Sequence, residues 1–216
     1  MYNTVNMIKR FLLVDDHSVV RLAVKLIIKE HYFNAQIDEA STGAQTLAFL
    51  AANNYDLVII DLMMPQTDTT DLLEKMLENY PETKILIFTM MSESIFATRY
   101  FQLGVKGFLT KDCDEKEISV AIELIMNNKK YISVELSHKL IEDSLADRSE
   151  NPFEDLSMKE KEIVRLLING KSVKEIKYIL NIQNSTVGTY KFRIFEKMMV
   201  SNIVDLQEIA RLYHFS

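Results

Sequence analysis

Short runs rich in apolar and β-forming residues recur along the first half of the chain: FLLVDD at 11–16, AQIDEA at 35–40, DLVIID at 56–61, KILIFT at 84–89 and VKGFLT at 105–110. Runs of this length and composition predict strands. Between them apolar residues return at helical spacing. Val19, Val20, Ala23, Leu26 and Ile27 share a face, as do Leu47, Leu50 and Ala51; Leu72, Leu73, Met76 and Leu77; and Ile118, Ala121, Ile122 and Ile125. Strands alternating with helices predict an α/β fold: a doubly wound, five-stranded parallel sheet with helices on both faces. The third and fourth runs are apolar throughout, as strands covered on both faces require. In such a sheet the functional crevice lies at the carboxyl ends of the strands.

After about residue 130 the alternation stops. Residues 142–155, EDSLADRSENPFED, are polar and carry a proline, which predicts a linker or the frayed end of a helix. From Leu156 onward the pattern is all helical, over 157–169, 172–180, about 184–198 and 202–213. Ser157 and Ser172 stand as N-caps and Asn169–Gly170 as a stop. Ile163, Leu166, Leu167, Ile176, Leu180, Ile182, Val187, Ile194, Met198 and Val200 have the spacing of a small helical core. Short helices joined by tight turns predict a helix-turn-helix. The boundaries are therefore 1–130 for the α/β domain, 131–155 for the linker and 156–216 for the all-α domain.

A length of 216 residues suits two domains, and 48% apolar with 26% charged residues is a globular composition. The N-terminal MYNTVNMIKR lacks the apolar block of a signal peptide, and no run approaches a membrane span. A lone Cys113 excludes an internal disulfide framework, so a cytoplasmic protein is expected. Charge is unevenly distributed. Residues 1–150 carry 15 basic against 23 acidic residues, a net −8, and residues 151–216 carry 10 against 8, a net +2. An acidic module joined to a mildly basic one permits nucleic acid as a partner of the second.

The acids at the strand ends carry the chemistry. Asp15 and Asp16 close the first strand, Asp61 the third, Thr89 the fourth, and Lys111 follows the fifth. In a parallel sheet these positions converge on one edge. Two unit charges 4 Å apart interact by about 4 kcal/mol at an effective dielectric near 20, so three gathered carboxylates need more than one lysine. A hard dication, Mg²⁺ or Mn²⁺, supplies the balance, with Asp15, Asp16, Asp61 and the backbone carbonyl of Met63 as oxygen donors. The chemistry that follows is phosphoryl transfer to a carboxylate. Asp61 is the candidate acceptor, with Lys111 and the Thr89 hydroxyl on the phosphoryl oxygens. Read singly, each acid is equally a solvated strand end, or a helix N-cap for Asp16. A phosphatase with an aspartyl nucleophile also needs such acids, but it wants two of them spaced two apart, whereas Asp15 and Asp16 are adjacent.

Together LLVDDH at 12–17, DLVIIDLMMP at 56–65, ILIFTM at 85–90 and GVKGFLTKD at 104–112 resemble the receiver domain of bacterial two-component response regulators, which has a flavodoxin-like fold. The resemblance implies phosphotransfer from a sensor histidine kinase to Asp61. It also implies a switch in which Thr89 and Phe108, three residues before the lysine, reposition. Met63 and Met91 fall where the resemblance places side chains that influence phosphoryl lifetime; both are apolar, which predicts slow hydrolysis. Thr69 stands where the family usually has a glycine, which questions the shape of that loop.

Residues 156–200 resemble the LuxR-type helix-turn-helix of the NarL/FixJ response regulators. The resemblance implies a scaffold helix at 172–180 and a recognition helix at about 184–198 that enters the major groove of double-stranded DNA. Ser185, Gly188, Thr189 and Phe192 would face the groove, with Thr186 among the DNA-binding residues and Lys191, Arg193 and Lys197 at phosphates. Three positions depart from the family: Gly188 replaces a common lysine, Gln183 a common serine cap and Lys177 a small buried residue. So few cations imply a homodimer on two half-sites, favoured by phosphorylation. The expected function is a phosphorylation-controlled transcription factor rather than a turnover enzyme. The alternative is a receiver whose degenerate helical module binds a protein.

Overall fold

The computed structural model describes residues 8–145 and 151–216. Residues 1–7, and 146–150 of the expected linker, lie outside the described residues. The chain divides into two compact units, at 1–138 and 139–216.

The first unit is a parallel sheet of five strands in the order β2-β1-β3-β4-β5. The strands are β1 (Arg10–Val14), β2 (Gln36–Ala40), β3 (Leu57–Ile60), β4 (Lys84–Thr89) and β5 (Gly107–Thr110). Between and after them run α1 (Ser18–His31), α2 (Gly43–Ala52), α3 (Thr69–Asn79), α4 (Glu93–Leu103) and α5 (Glu115–Met126). Alternate strand residues face opposite sides. Phe11, Leu13, Leu57, Ile59, Leu86, Phe88 and Leu109 pack against Val24, Ile27 and Ile28 of α1 and Ile118, Ala121, Ile122 and Ile125 of α5. Their neighbours in sequence, among them Leu12, Val58, Ile60, Ile87 and Phe108, are equally buried on the other side. β3 and β4 are therefore covered on both faces, as their unbroken apolar character requires. Gly107 is a close approach, since a Cβ there would lie 2.8 Å from Ile125 and 2.9 Å from Leu86.

Two expectations change here. The inward face of α1 is Val24, Ile27 and Ile28; Val19, 77% exposed, and Leu26, 59% exposed, lie outside with Leu22 and Ala23. This helix has apolar residues on more than one face, so periodicity alone finds Ile27 in the core and Val20 against it but misplaces Val19, Ala23 and Leu26. Helix α4 lacks a clear apolar stripe in sequence but buries Phe96, Ala97 and Tyr100. The loop after β3 takes its left-handed residue at Gln66, with φ of 58°, while Thr69 opens α3 and is buried. Threonine at 69 thus carries no backbone strain.

Part of the expected linker is ordered. Helix α6 spans Val134–Leu145. Its start is fixed by Ser133, whose hydroxyl donates to Glu93 Oε2 at 2.6 Å and accepts from the Leu136 N–H at 3.0 Å. Burial pushes the Glu93 carboxyl up from its ordinary value, against the lowering effect of the Ser133 bond. The Tyr131 hydroxyl donates to Glu117 at the start of α5.

The second unit contains α7 (Met158–Ile168), α8 (Val173–Leu180), α9 (Asn184–Lys197) and α10 (Ile203–Leu212). Ser157 and Ser172 each make a full capping box with the glutamate three residues on, Glu160 and Glu175. Ile163, Leu167, Ile176, Val187, Ile194, Met198 and Val200 are buried as expected; Leu166, Leu180 and Ile182 are half-buried. Val164, Leu206, Ile209 and Leu212 complete the core. Phe153, in a 3-10 turn at Pro152–Asp155, is buried too, its ring stacked at 4.1 Å on Phe215 and edge-on to Tyr213 at 6.3 Å. The second unit therefore begins before residue 156. Lys177 is half-buried with its ammonium 5.2 Å from the Tyr178 ring, an amphipathic placement of the long side chain.

Phe153→Ala should destabilise the second unit by about 3–5 kcal/mol. Urea unfolding followed by hydrogen exchange in α7 and α10 would register it; an unchanged exchange pattern would return Phe153 to the linker.

Candidate functional site

Strand register brings the polar residues together. Val14 pairs with both Ala40 and Ile60, Ile60 with Ile87, and Thr89 with Thr110, so the strands finish along one edge. The next residue in three of them stays tied to the ladder. Asp15 N–H donates to Ala40 O at 3.1 Å, Asp61 N–H to Val14 O at 2.8 Å and Lys111 N–H to Thr89 O at 2.8 Å.

These backbones aim three side chains at one another. Lys111 Nζ lies 2.7 Å from Asp15 Oδ2 and 2.7 Å from Asp61 Oδ2, and all three groups are nearly withdrawn from solvent. Burial pushes the Lys111 ammonium down, but bonds to the two carboxylates outweigh it and hold its pKa above the ordinary lysine value. Lys111 is charged at neutral pH, and one cation between two carboxylates leaves the cluster negative. The remaining oxygens are held locally: Asp61 Oδ1 accepts from Met63 N–H at 3.1 Å, and Asp15 Oδ1 from His17 N–H at 2.8 Å.

Asp16 adds charge without a matching donor. Its Oδ1 is buried and receives no hydrogen bond. His17 Nδ1 lies 2.9 Å away, an ion pair only if the imidazole is protonated and not a hydrogen bond by its geometry. One ligand atom each from Asp15, Asp16, His17 and Asp61 lie within 4.8 Å of one another. An orphaned oxygen in a group dominated by carboxylates fits a hard dication.

Thr89 is fully buried on β4, its Oγ1 accepting from Met91 N–H at 3.5 Å. Phe108 is fully buried on β5 against Tyr100, with ring centroids 6.2 Å apart. Met63 is exposed and Met91 buried, so of the two only Met63 reaches the surface. Two residues of the site have no distinctive sequence signal. Arg21 donates from Nη1 to Asp15 O at 2.5 Å and from Nε to Glu39 at 3.1 Å, which fixes the end of β1. His17 is the other.

In the second unit, Ser185, Thr186, Gly188, Thr189, Phe192 and Arg193 of α9 are exposed and Lys191 is half-buried, its ammonium 5.1 Å from the Phe195 ring. The N-cap of α9 is Gln183, which makes no side-chain bond to the helix. Lys197 differs from the expectation. Its ammonium lies 2.8 Å from the buried Glu160 carboxylate and 3.3 Å from Asp155 O. Burial raises the Glu160 pKa, yet Lys197 and Ser157 together hold it below the ordinary range. Lys197 ties α9 to α7 and is engaged within the protein rather than held free for a phosphate.

Residues 11–123 match the response regulator receiver domain, and residues 154–210 match the bacterial regulatory proteins of the luxR family. The chain is a response regulator. Like its relatives it is of the NarL/FixJ type. It is 31% identical over 201 residues to the response regulator GacA of Pseudomonas protegens, covering 93% of this chain and 94% of that one. It is 28% identical over 200 residues to the response regulator UvrY of Escherichia coli K12, covering 92% of each. The fold is also that of RcsB from Salmonella enterica serovar Typhimurium, solved bound to promoter P1flhDC with phosphomimetic BeF3⁻. The TM-score is 0.74 at 22% identity, over 94% of this response regulator and 98% of that chain. Among the described residues no helix is long and apolar enough to cross a membrane.

Lys111→Met leaves Asp15 and Asp61 buried without their cation and should cost roughly 3–5 kcal/mol near neutral pH. Because the folded-state pKa of Lys111 is raised, its contribution is complete below the ordinary lysine value of 10.5 and is lost as pH rises through the folded value. Urea titrations should show the gap between wild type and variant constant from pH 7 to 9 and narrowing in strong alkali.

Proposed function

We propose that this response regulator accepts a phosphoryl group on Asp61 from a sensor histidine kinase and that phosphorylation favours a homodimer on double-stranded DNA. The observation that carries the reading is the Lys111 ammonium shared between Asp15 and Asp61, beside an Asp16 oxygen with no donor. A carboxylate oxygen of Asp61 forms the new O–P bond as the P–N bond to the donor histidine breaks, and the electron pair leaves with the imidazole, which takes up a proton. Lys111, already charged, transfers its contacts from carboxylate to phosphoryl oxygens. The Thr89 hydroxyl takes another of those oxygens, and Phe108 follows it. Asp15, Asp16, Asp61 and the Met63 carbonyl would hold Mg²⁺ or Mn²⁺, which supplies Lewis-acid neutralisation of the phosphoryl charge when bound. The protein turns over no external substrate and at most hydrolyses its own acyl phosphate.

The kinase must bring a side chain to this rim. The exposed apolar strip of Val19, Leu22 and Leu26 on α1 adjoins a groove of about 510 Å³, lined in part by α1 and α5, that includes Lys111. Kinase, regulator and DNA would meet in the bacterial cytoplasm. On DNA, the uncapped N-terminal N–H groups of α9 and the side chains of Lys191 and Arg193 hold phosphates. Ser185, Thr186, Thr189 and Phe192 read base edges, and Gly188 lets the helix backbone approach; a Cβ there would meet nothing within 4 Å inside the protein. A second reading, binding of a protein by the helical unit, is favoured by the exposure of Tyr178, Ile179 and Phe192, the last at 63%.

Asp61→Asn should abolish incorporation of label from acetyl phosphate in the presence of Mg²⁺; retained label would remove Asp61 from its role. In salt-dependent shift assays, Arg193→Ala should weaken DNA binding and reduce the salt slope by about 1. Lys197→Ala should leave that slope unchanged and lower the melting temperature of the second unit. Binding that is insensitive to salt, or absent on every DNA fragment, would favour the protein-binding reading.

A further inference from the structure

We infer that His17 supplies a nitrogen ligand to the cation site, so that the site takes up imidazole-preferring dications such as Ni²⁺ and Co²⁺ in competition with Mg²⁺. The inference rests on the reading of Asp15, Asp16 and Asp61 as cation ligands and concerns a residue outside that set.

The backbone places His17 at the site. Its N–H donates to Asp15 Oδ1 at 2.8 Å, and it is the N-cap residue of α1, with φ of −87° and ψ of 106°. Its side chain makes no cap bond to the helix. The ring instead turns its Nδ1 to the acids, 2.9 Å from Asp16 Oδ1 and 3.3 Å from Asp15 Oδ1, to which it donates when protonated at that nitrogen; the tautomer protonated at Nε2 leaves the Nδ1 lone pair for a metal. The His17 nitrogen and one oxygen each from Asp15, Asp16 and Asp61 lie within 4.8 Å of one another. That is close to the roughly 4.0–4.4 Å spanned by two metal–ligand bonds of about 2.0–2.2 Å on opposite sides of one ion. The ring is also 66% exposed, so a small rotation onto an ion disturbs little packing.

Donor chemistry sets the consequence. Carboxylate and carbonyl oxygens suit Mg²⁺, which keeps much of its water, so loss of an imidazole changes Mg²⁺ binding little. Imidazole suits Ni²⁺ and its neighbours, whose affinities rise along the divalent series toward copper. A site with three carboxylates and one imidazole therefore separates these ions more widely than three carboxylates alone.

Isothermal titration of the full chain with MgCl₂ and, separately, with NiCl₂ tests this, using wild type, His17→Ala and Asp16→Asn. His17→Ala should weaken Ni²⁺ binding about tenfold or more and leave Mg²⁺ within about twofold. Asp16→Asn should weaken both. The visible spectrum of bound Co²⁺ should shift in His17→Ala, a signature that a purely structural role would not produce. Ni²⁺ affinity within twofold of wild type in His17→Ala, with Mg²⁺ binding intact, overturns the inference and leaves the cation site standing. Equal Ni²⁺ binding by all three proteins would mean capture by other surface groups, and overturns it too. Absence of Mg²⁺ binding in wild type would instead remove the reading on which the inference rests.

Discussion

One lysine shared by two buried carboxylates organises the first unit. Without it, Asp15 and Asp61 would sit as like charges at the edge of an apolar sheet, a position that water cannot repair. With it, the pair is tolerated but still carries net negative charge, and Asp16 increases it. The rest of the rim follows from that residual charge. Arg21 fixes the Asp15 carbonyl, and the Met63 and His17 amides occupy carboxylate oxygens. The parallel register makes this possible, because residues far apart in sequence reach one edge only when their strands finish together.

Much of this is legible in the chain because its causes are local or periodic. KILIFT at 84–89 coincides with β4, since an unbroken apolar run bounded by polar residues has few other solutions. Both capping boxes of the helical unit are visible as Ser-x-x-Glu, a pattern complete within four residues. The strand-end acids are legible as a group once a parallel sheet is assumed. Other features depend on distant partners. The tie between Lys197 and Glu160 joins residues on different helices, and Phe153 is buried by rings near the chain's other end. The face of α1 could not be chosen by period because Val19, Leu22 and Leu26 compete with Val24, Ile27 and Ile28. His17 gives no sign in sequence of which way its ring turns.

The helical unit shows the opposite economy of charge. The engagement of Lys197 by Glu160 pairs a partly exposed cation of α9 and uses it to join that helix to α7. Besides Lys197, α9 presents outward Asn184, three hydroxyls, one glycine and a phenylalanine, with Arg193 and Glu196 of opposite charge and Lys191 half-buried. Such a surface offers shape and close approach more than long-range electrostatic attraction.

The Ser133 hydroxyl belongs to two hydrogen bonds at once, one to Glu93 in the first turn of α4 and one from the Leu136 amide in the first turn of α6. A single χ1 rotation breaks both. The helix that carries the chain out of the first unit is therefore fastened to the first turn of α4 through a single hydroxyl oxygen, so a displacement of that turn acts directly on the start of α6.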